Sequence, residues 1–116
     1  MFSFNEGLLD RAIASALSDL VDVLSAEANA LMTENRWDWP NVTHRKNGEI
    51  VTSPRNIYDT GELFKSQRSW STGDNAEILY DCDYAAEVHA DRPWLETAAI
   101  ETDVEAVFAK SLRKNL

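Results

Sequence analysis

The sequence predicts an α+β fold: a central antiparallel sheet packed against long N-terminal and C-terminal helices. Three observations predict it. An apolar repeat of three and four residues runs through the first 35 positions, and a second one runs through the last 25. Between them, Asn47-Gly48 separates two short β-tolerant runs, and a stretch near residue 78 alternates in and out as a strand does. The chain reads as one domain spanning residues 1–116, with no repeat, low-complexity run or linker.

The first helix is expected over residues 5–35. Leu8, Leu9, Ala12, Ile13, Ala16, Leu17, Leu20, Val21, Leu24, Ala28 and Leu31 line one face, and Asp10, Arg11, Ser15, Ser18, Asp22 and Ser25 line the other. Asn5 has the side chain of an N-cap. Trp37-Asp38-Trp39-Pro40 closes the helix, because Pro40 holds Trp39 extended. Residues 41–45 and 49–53 form a hairpin around Lys46-Asn47-Gly48, with polar arms that suit projection from the body. Ser53-Pro54-Arg55-Asn56 is a turn.

Asp59 or Thr60 is expected to cap a short helix over residues 62–66, which buries Leu63 and Phe64. Residues 67–71 and 76–82 read as strands joined by Thr72-Gly73-Asp74-Asn75, with Ala76, Ile78 and Tyr80 inward. Residues 84–88 make one helical turn. A final helix, capped by Asp91 and started by Pro93, reaches about residue 114. Glu96 near its start and Lys110, Arg113 and Lys114 at its end complement the helix dipole.

Composition excludes several classes. Hydrophobic residues make up 44%, enough for a core. No apolar run spans a bilayer, and the first residues lack the basic region of a signal peptide, so no membrane partner is expected and synthesis in the cytoplasm is. Cys82 is the only cysteine, which excludes an internal disulfide and a cysteine metal cage. Twenty acidic against eleven basic residues give a formal charge of −9. That charge argues against a DNA clamp, which needs cations facing phosphates. It suits a surface that DNA slides past, or a DNA mimic occupying a basic cleft.

No catalytic pattern emerges, and neither a metal nor a cofactor is expected. Asp59-Thr60-Gly61 matches the triplet of aspartic proteases, but the following Glu62-Leu63-Phe64-Lys65 favours a helix where those enzymes need a strand-flanked loop. Cys82 and His89 lack an orienting third group and an oxyanion loop. His44 and His89 have no ligand partner at helical i, i+4 spacing. The candidate site is therefore an interface. Trp37 and Trp39 read either as a core lid over the helix end or, with Trp70, as aromatic anchors of that interface, and the hairpin contributes Thr43, Arg45, Ile50 and Val51.

Three motifs follow one another: Asp59-Thr60-Gly61-Glu62-Leu63-Phe64-Lys65-Ser66, then Tyr84-Ala85-Ala86-Glu87-Val88-His89, then Arg92-Pro93-Trp94-Leu95 with Ala98. In this order and spacing, after an amphipathic N-terminal helix, the chain resembles the tail-completion, tail-terminator and head–tail joining proteins of tailed-phage necks, typified by a neck protein of phage HK97. Asp59, Thr60, Gly61, Leu63, Tyr84, Ala85, Val88, His89, Pro93 and Trp94 carry the resemblance. Ala90-Asp91 stands where many members have a glycine and a longer loop. The resemblance implies a virion protein at the head–tail interface. Such a protein forms a homo-oligomeric ring, expected as a hexamer, between the tail tube protein and the head connector or stopper. Genomic DNA would pass through its lumen without specific binding. The competing expectation is an acidic DNA mimic that inhibits a host defence nuclease.

Overall fold

The computed structural model describes residues 6–116. Its elements run α1 (Glu6–Met32), β1 (Thr43–His44), β2 (Ile50–Val51), α2 (Glu62–Lys65), β3 (Gln67–Thr72), β4 (Asn75–Tyr80), α3 (Ala85–Asp91), α4 (Trp94–Glu101) and α5 (Val104–Lys114). The fold is α+β, with the long N-terminal helix in place. The Asn5 cap lies outside the described residues.

The apolar stripe of α1 is the buried one: Ala12, Ala16, Val21, Ala28 and Leu31 are all inside. Ser25, assigned to the solvent face, is also buried. Its hydroxyl donates to the Asp22 carbonyl at 3.1 Å, and Gln67 Nε2 covers it by donating to the Ser25 carbonyl at 2.7 Å. The helix stops at Met32, three residues short of expectation. Its last carbonyls find partners elsewhere, as free helix ends must. Trp37 Nε1 donates to Leu31 O at 2.9 Å, and the Ile57 amide donates to Met32 O at 2.8 Å.

The expected single sheet is instead two separate hairpins, β1–β2 and β3–β4. In β1–β2 only Thr43↔Val51 and His44↔Ile50 pair. Its arms are too polar to bury a face, so it does not extend the other hairpin. The second hairpin pairs Gln67↔Tyr80 through Thr72↔Asn75 around Gly73-Asp74. Ala76, Ile78 and Tyr80 face inward as expected, while Glu77 and Leu79 face water.

The centre of the molecule is α1, which packs against β3, β4, α4 and α5. A polar lock fastens β3–β4 to it: Tyr80 Oη donates to Asn29 Oδ1 at 2.7 Å, and Gln67 Nε2 donates to Tyr80 Oη at 2.9 Å. Burial pushes the Tyr80 phenol above its ordinary pKa, and the hydrogen bond it accepts from Gln67 partly offsets that.

The C-terminal helix is also not continuous. Thr102 is extended, with ψ 129°, and Asp103 Oδ1 accepts the Ala106 amide at 3.1 Å, so an N-cap restarts the helix as α5. Asp19 on α1 accepts the Ser111 hydroxyl and ties α5 down. Because α3 runs seven residues, Asp91 ends that helix and does not cap the next. Pro93 holds the N-cap position of α4 with no side-chain acceptor.

The result is a rod. Its extents are 67 × 23 × 19 Å and its radius of gyration is 18.0 Å, against about 13 Å for a compact domain of this length. It exposes 7644 Å², against about 6,400 Å² for a globular chain of this mass. A fold with so much surface gains more than most from a neighbour.

Candidate functional site

The Asn47-Gly48 turn builds the first hairpin locally. Gly48 sits at φ +88°, the Arg45 amide donates to Glu49 O at 2.9 Å, and Asn47 Oδ1 accepts the Glu49 amide at 2.9 Å. Strand alternation then turns Thr43 and Val51 toward the body, and His44 and Ile50 away from it. Ile50 is 61% exposed and Val42 is exposed beside it.

At the base of the hairpin three arginines cluster, and two of them, Arg55 and Arg92, stack on one tryptophan. Arg45 donates to Tyr58 O at 2.5 Å and to Asn56 Oδ1 at 2.6 Å. Arg55 donates through Nε to Thr43 Oγ1 at 3.0 Å and through Nη1 to Asn56 O at 2.6 Å. Its backbone bridges that of Trp37 in both directions, at 3.0 and 3.1 Å. The guanidinium carbons of Arg55 and Arg92 lie 3.3 and 3.4 Å from the Trp39 ring centroid. Two groups that close fit only on opposite faces, so Trp39 is sandwiched. Arg92 Nε reaches on to the Asp38 carbonyl at 3.1 Å.

Arg55 and Arg92 are 7% and 8% exposed. Burial first, then repulsion from Arg45 and Arg92, pushes the Arg55 guanidinium down to about 10. The π faces of Trp39 and neutral carbonyls hold these charges, with the exposed Asp91 carboxylate 3.9 Å from Arg92 Nη1, so the site is a fastener between residues 37–58 and the junction of α3 and α4. With two of the eleven cations inside, the outer surface is more acidic than the formal charge implies.

The predicted interface residues therefore divide. Trp37 is core, closing the end of α1. Trp39 is the filling of the arginine sandwich, and Thr43 and Arg45 hold the hairpin to the body. Val51 is half-buried. Ile50 faces water, as does Trp70, which lies on the other hairpin opposite Glu77. Sequence reasoning missed the roles of Arg55 and Arg92. A Trp-Asp-Trp segment with arginines downstream was the available signal.

The motif residues build core more than surface. Leu63, Ala85, Trp94 and Ala98 join Leu31 and Met32 in one cluster, with Val88 packed against it. His89 meets Trp94 edge to face at 5.0 Å, and Tyr80 meets it likewise at 5.1 Å. Cys82 Sγ has Glu62 Oε1 as polar neighbour at 4.0 Å, so it does not form a dyad with His89. Tyr84 Oη lies 3.5 Å from Glu62 Oε2, and its phenol is pushed up to about 12 by burial and then by Cys82 and Glu62. Among the described residues, no group of three or more His, Cys, Asp or Glu side chains is arranged to hold a metal ion. Likewise no helix is long and apolar enough to cross a membrane.

The expected cap at Asp59 or Thr60 is half right. Gly61 occupies the N-cap of α2 at φ +87°, no side chain caps the helix, and Thr60 Oγ1 accepts only the Glu62 amide at 3.3 Å. Asp59 stays exposed. A methyl group on Gly61 would lie 2.6 Å from Tyr58 Oη. Gly61→Ala is expected to cost about 1–3 kcal/mol, from the left-handed backbone and the clash together. Urea unfolding measures it, and a change within error would mean the loop relaxes freely.

Comparison with known protein families, with curated proteins and with solved structures returns no match.

Proposed function

We propose that this chain is a structural protein of a tailed-phage neck. It assembles into a ring, expected as a hexamer, that ends the tail tube and joins it to the head connector. The ordered motif set from Asp59 to Ala98 carries the reading. Three features support it. Leu63, Ala85, Trp94 and Ala98, drawn from all three motifs, share one core, as a set needed to define a fold would. The rod shape leaves an excess of surface. The hairpin offers Ile50, a large apolar side chain that is 61% exposed.

The acidic exterior suits a lumen, since carboxylates repel passing DNA and prevent sticking. The charge of −9 also keeps the DNA-mimic reading in play, as a monomer or dimer that blocks a nuclease.

Two tests apply. Replacing Ile50 and Val51 with Asp should leave a folded chain that no longer assembles, as read by light scattering and circular dichroism. Unchanged ring formation would remove the hairpin from the contact. Virions lacking this chain should carry unattached or overlong tails, and normal tails fixed to filled capsids would overturn the neck reading.

A further inference from the structure

An apolar groove of about 660 Å³ lies between α1, β4 and α4. Leu17, Leu20 and Leu24 form one wall, Ile78 a second, and Leu95 and Ala99 the third. The leucines, Ile78 and Leu95 are half-buried and Ala99 is exposed, so the groove is open to solvent. Asp74 and Glu96, both exposed, stand at its edge.

A complementary feature exists on the same chain. The outward face of the β1–β2 hairpin presents Val42 and Ile50 with exposed His44 and Lys46. An apolar knob flanked by basic groups matches an apolar groove flanked by carboxylates. No groove residue belongs to the hairpin. The hairpin sits beyond the C-terminal end of α1, where Ile57 and Tyr58 bond Met32 O, whereas the groove lies about two to four helical turns toward the N-terminus, at Leu17 to Leu24. Two different patches on one chain that fit each other make a heterologous contact, the kind that closes into a ring or runs on as a filament.

We propose that the groove between α1, β4 and α4 seats the β1–β2 hairpin of a second copy of this chain, with Ile50 as the inserted side chain and Lys46 facing Asp74 and Glu96. This deepens the ring reading and rests on it. The occupant is another copy because the chain itself supplies both the apolar and the charged complement. A nucleic acid does not fit, since the edge of the groove is acidic and its walls are apolar.

The test uses the full chain with Cys82→Ser. Ile50→Cys and Ala99→Cys variants are mixed under a mild oxidant, with Ile50→Cys plus Glu105→Cys as the control pair. The expected result is a mixed disulfide at Ala99→Cys several-fold above the control, lost when Leu20→Asp is added. Assemblies that form while the two pairs link equally overturn this docking and leave the ring reading standing. A chain that links at neither site and stays monomeric overturns the docking, and the neck reading is then decided by tail attachment in the virion. Retention on another virion component that Leu20→Asp abolishes, with no link between copies, assigns the groove to that component and also overturns the proposal. Circular dichroism of each variant separates lost docking from lost folding.

Discussion

Trp94→Ala should cost about 3–5 kcal/mol of folding stability, the range for truncating a fully buried tryptophan. Trp94 is 1% exposed, and with Leu31 and Met32 it is one of the three largest fully buried side chains. It starts α4, and two rings, Tyr80 and His89, meet it edge to face. Its loss opens a cavity where α1, β4, α3 and α4 converge. A rod with a small core has few other contacts to compensate, and domains of this size commonly hold only about 5–15 kcal/mol in total. Trp94→Phe keeps an aromatic face toward both rings and should lose less. Urea unfolding of the two variants measures the difference. A loss below about 1 kcal/mol for Trp94→Ala would show that the core lies elsewhere.

Trp39→Leu should cost about 3–4 kcal/mol, because each desolvated cation–π contact is worth about 2 kcal/mol and two are removed together. The leucine still fills volume but leaves the Arg55 and Arg92 cations buried without a π face. Trp39→Phe should restore much of the loss, because the ring quadrupole returns. If Trp39→Leu and Trp39→Phe unfold at the same urea concentration, packing and not charge holds this corner. The sign of the pH effect follows from the burial of Arg55 and its repulsion by Arg45 and Arg92, against which the Trp39 contact works. The Arg55 pKa is lower folded than unfolded, so its charge subtracts from stability at neutral pH. That deficit is relieved as pH rises through about 10. Replacing Arg55 with Met should flatten this alkaline contribution.

Local rules made much of the fold legible. The 3.6-residue period marked the buried face of α1, and Asn47-Gly48 and Gly73-Asp74 marked both turns. The period of two sorted the faces of β4. What stayed hidden depends on distance along the chain. Residues 39, 55 and 92 meet only after folding, so no local spacing announces the Trp39 sandwich. Trp37 reads in sequence as a lid over the helix end or as an interface anchor, and it is the lid, closing α1. The break at Thr102-Asp103 was missed because apolar residues recur on both sides of it, though Asp103 followed by Glu105 was a usable start signal. One sheet was expected where two hairpins formed, because pairing between hairpins needs an apolar face that β1–β2 lacks. For the candidate site, the outward Ile50 was legible from the turn, whereas the groove opposite it was not, since three distant elements make its walls.

The central helix α1 also acts as a ruler. Asp19 sets the seat of α5, and Asn29, ten residues on, sets the seat of the second hairpin. Deleting one residue between them would swing one seat about 100° around the axis relative to the other and slide it about 1.5 Å. Length changes in this segment are thus forbidden by phase, whereas the bend at 102–103 has no such clockwork to disturb.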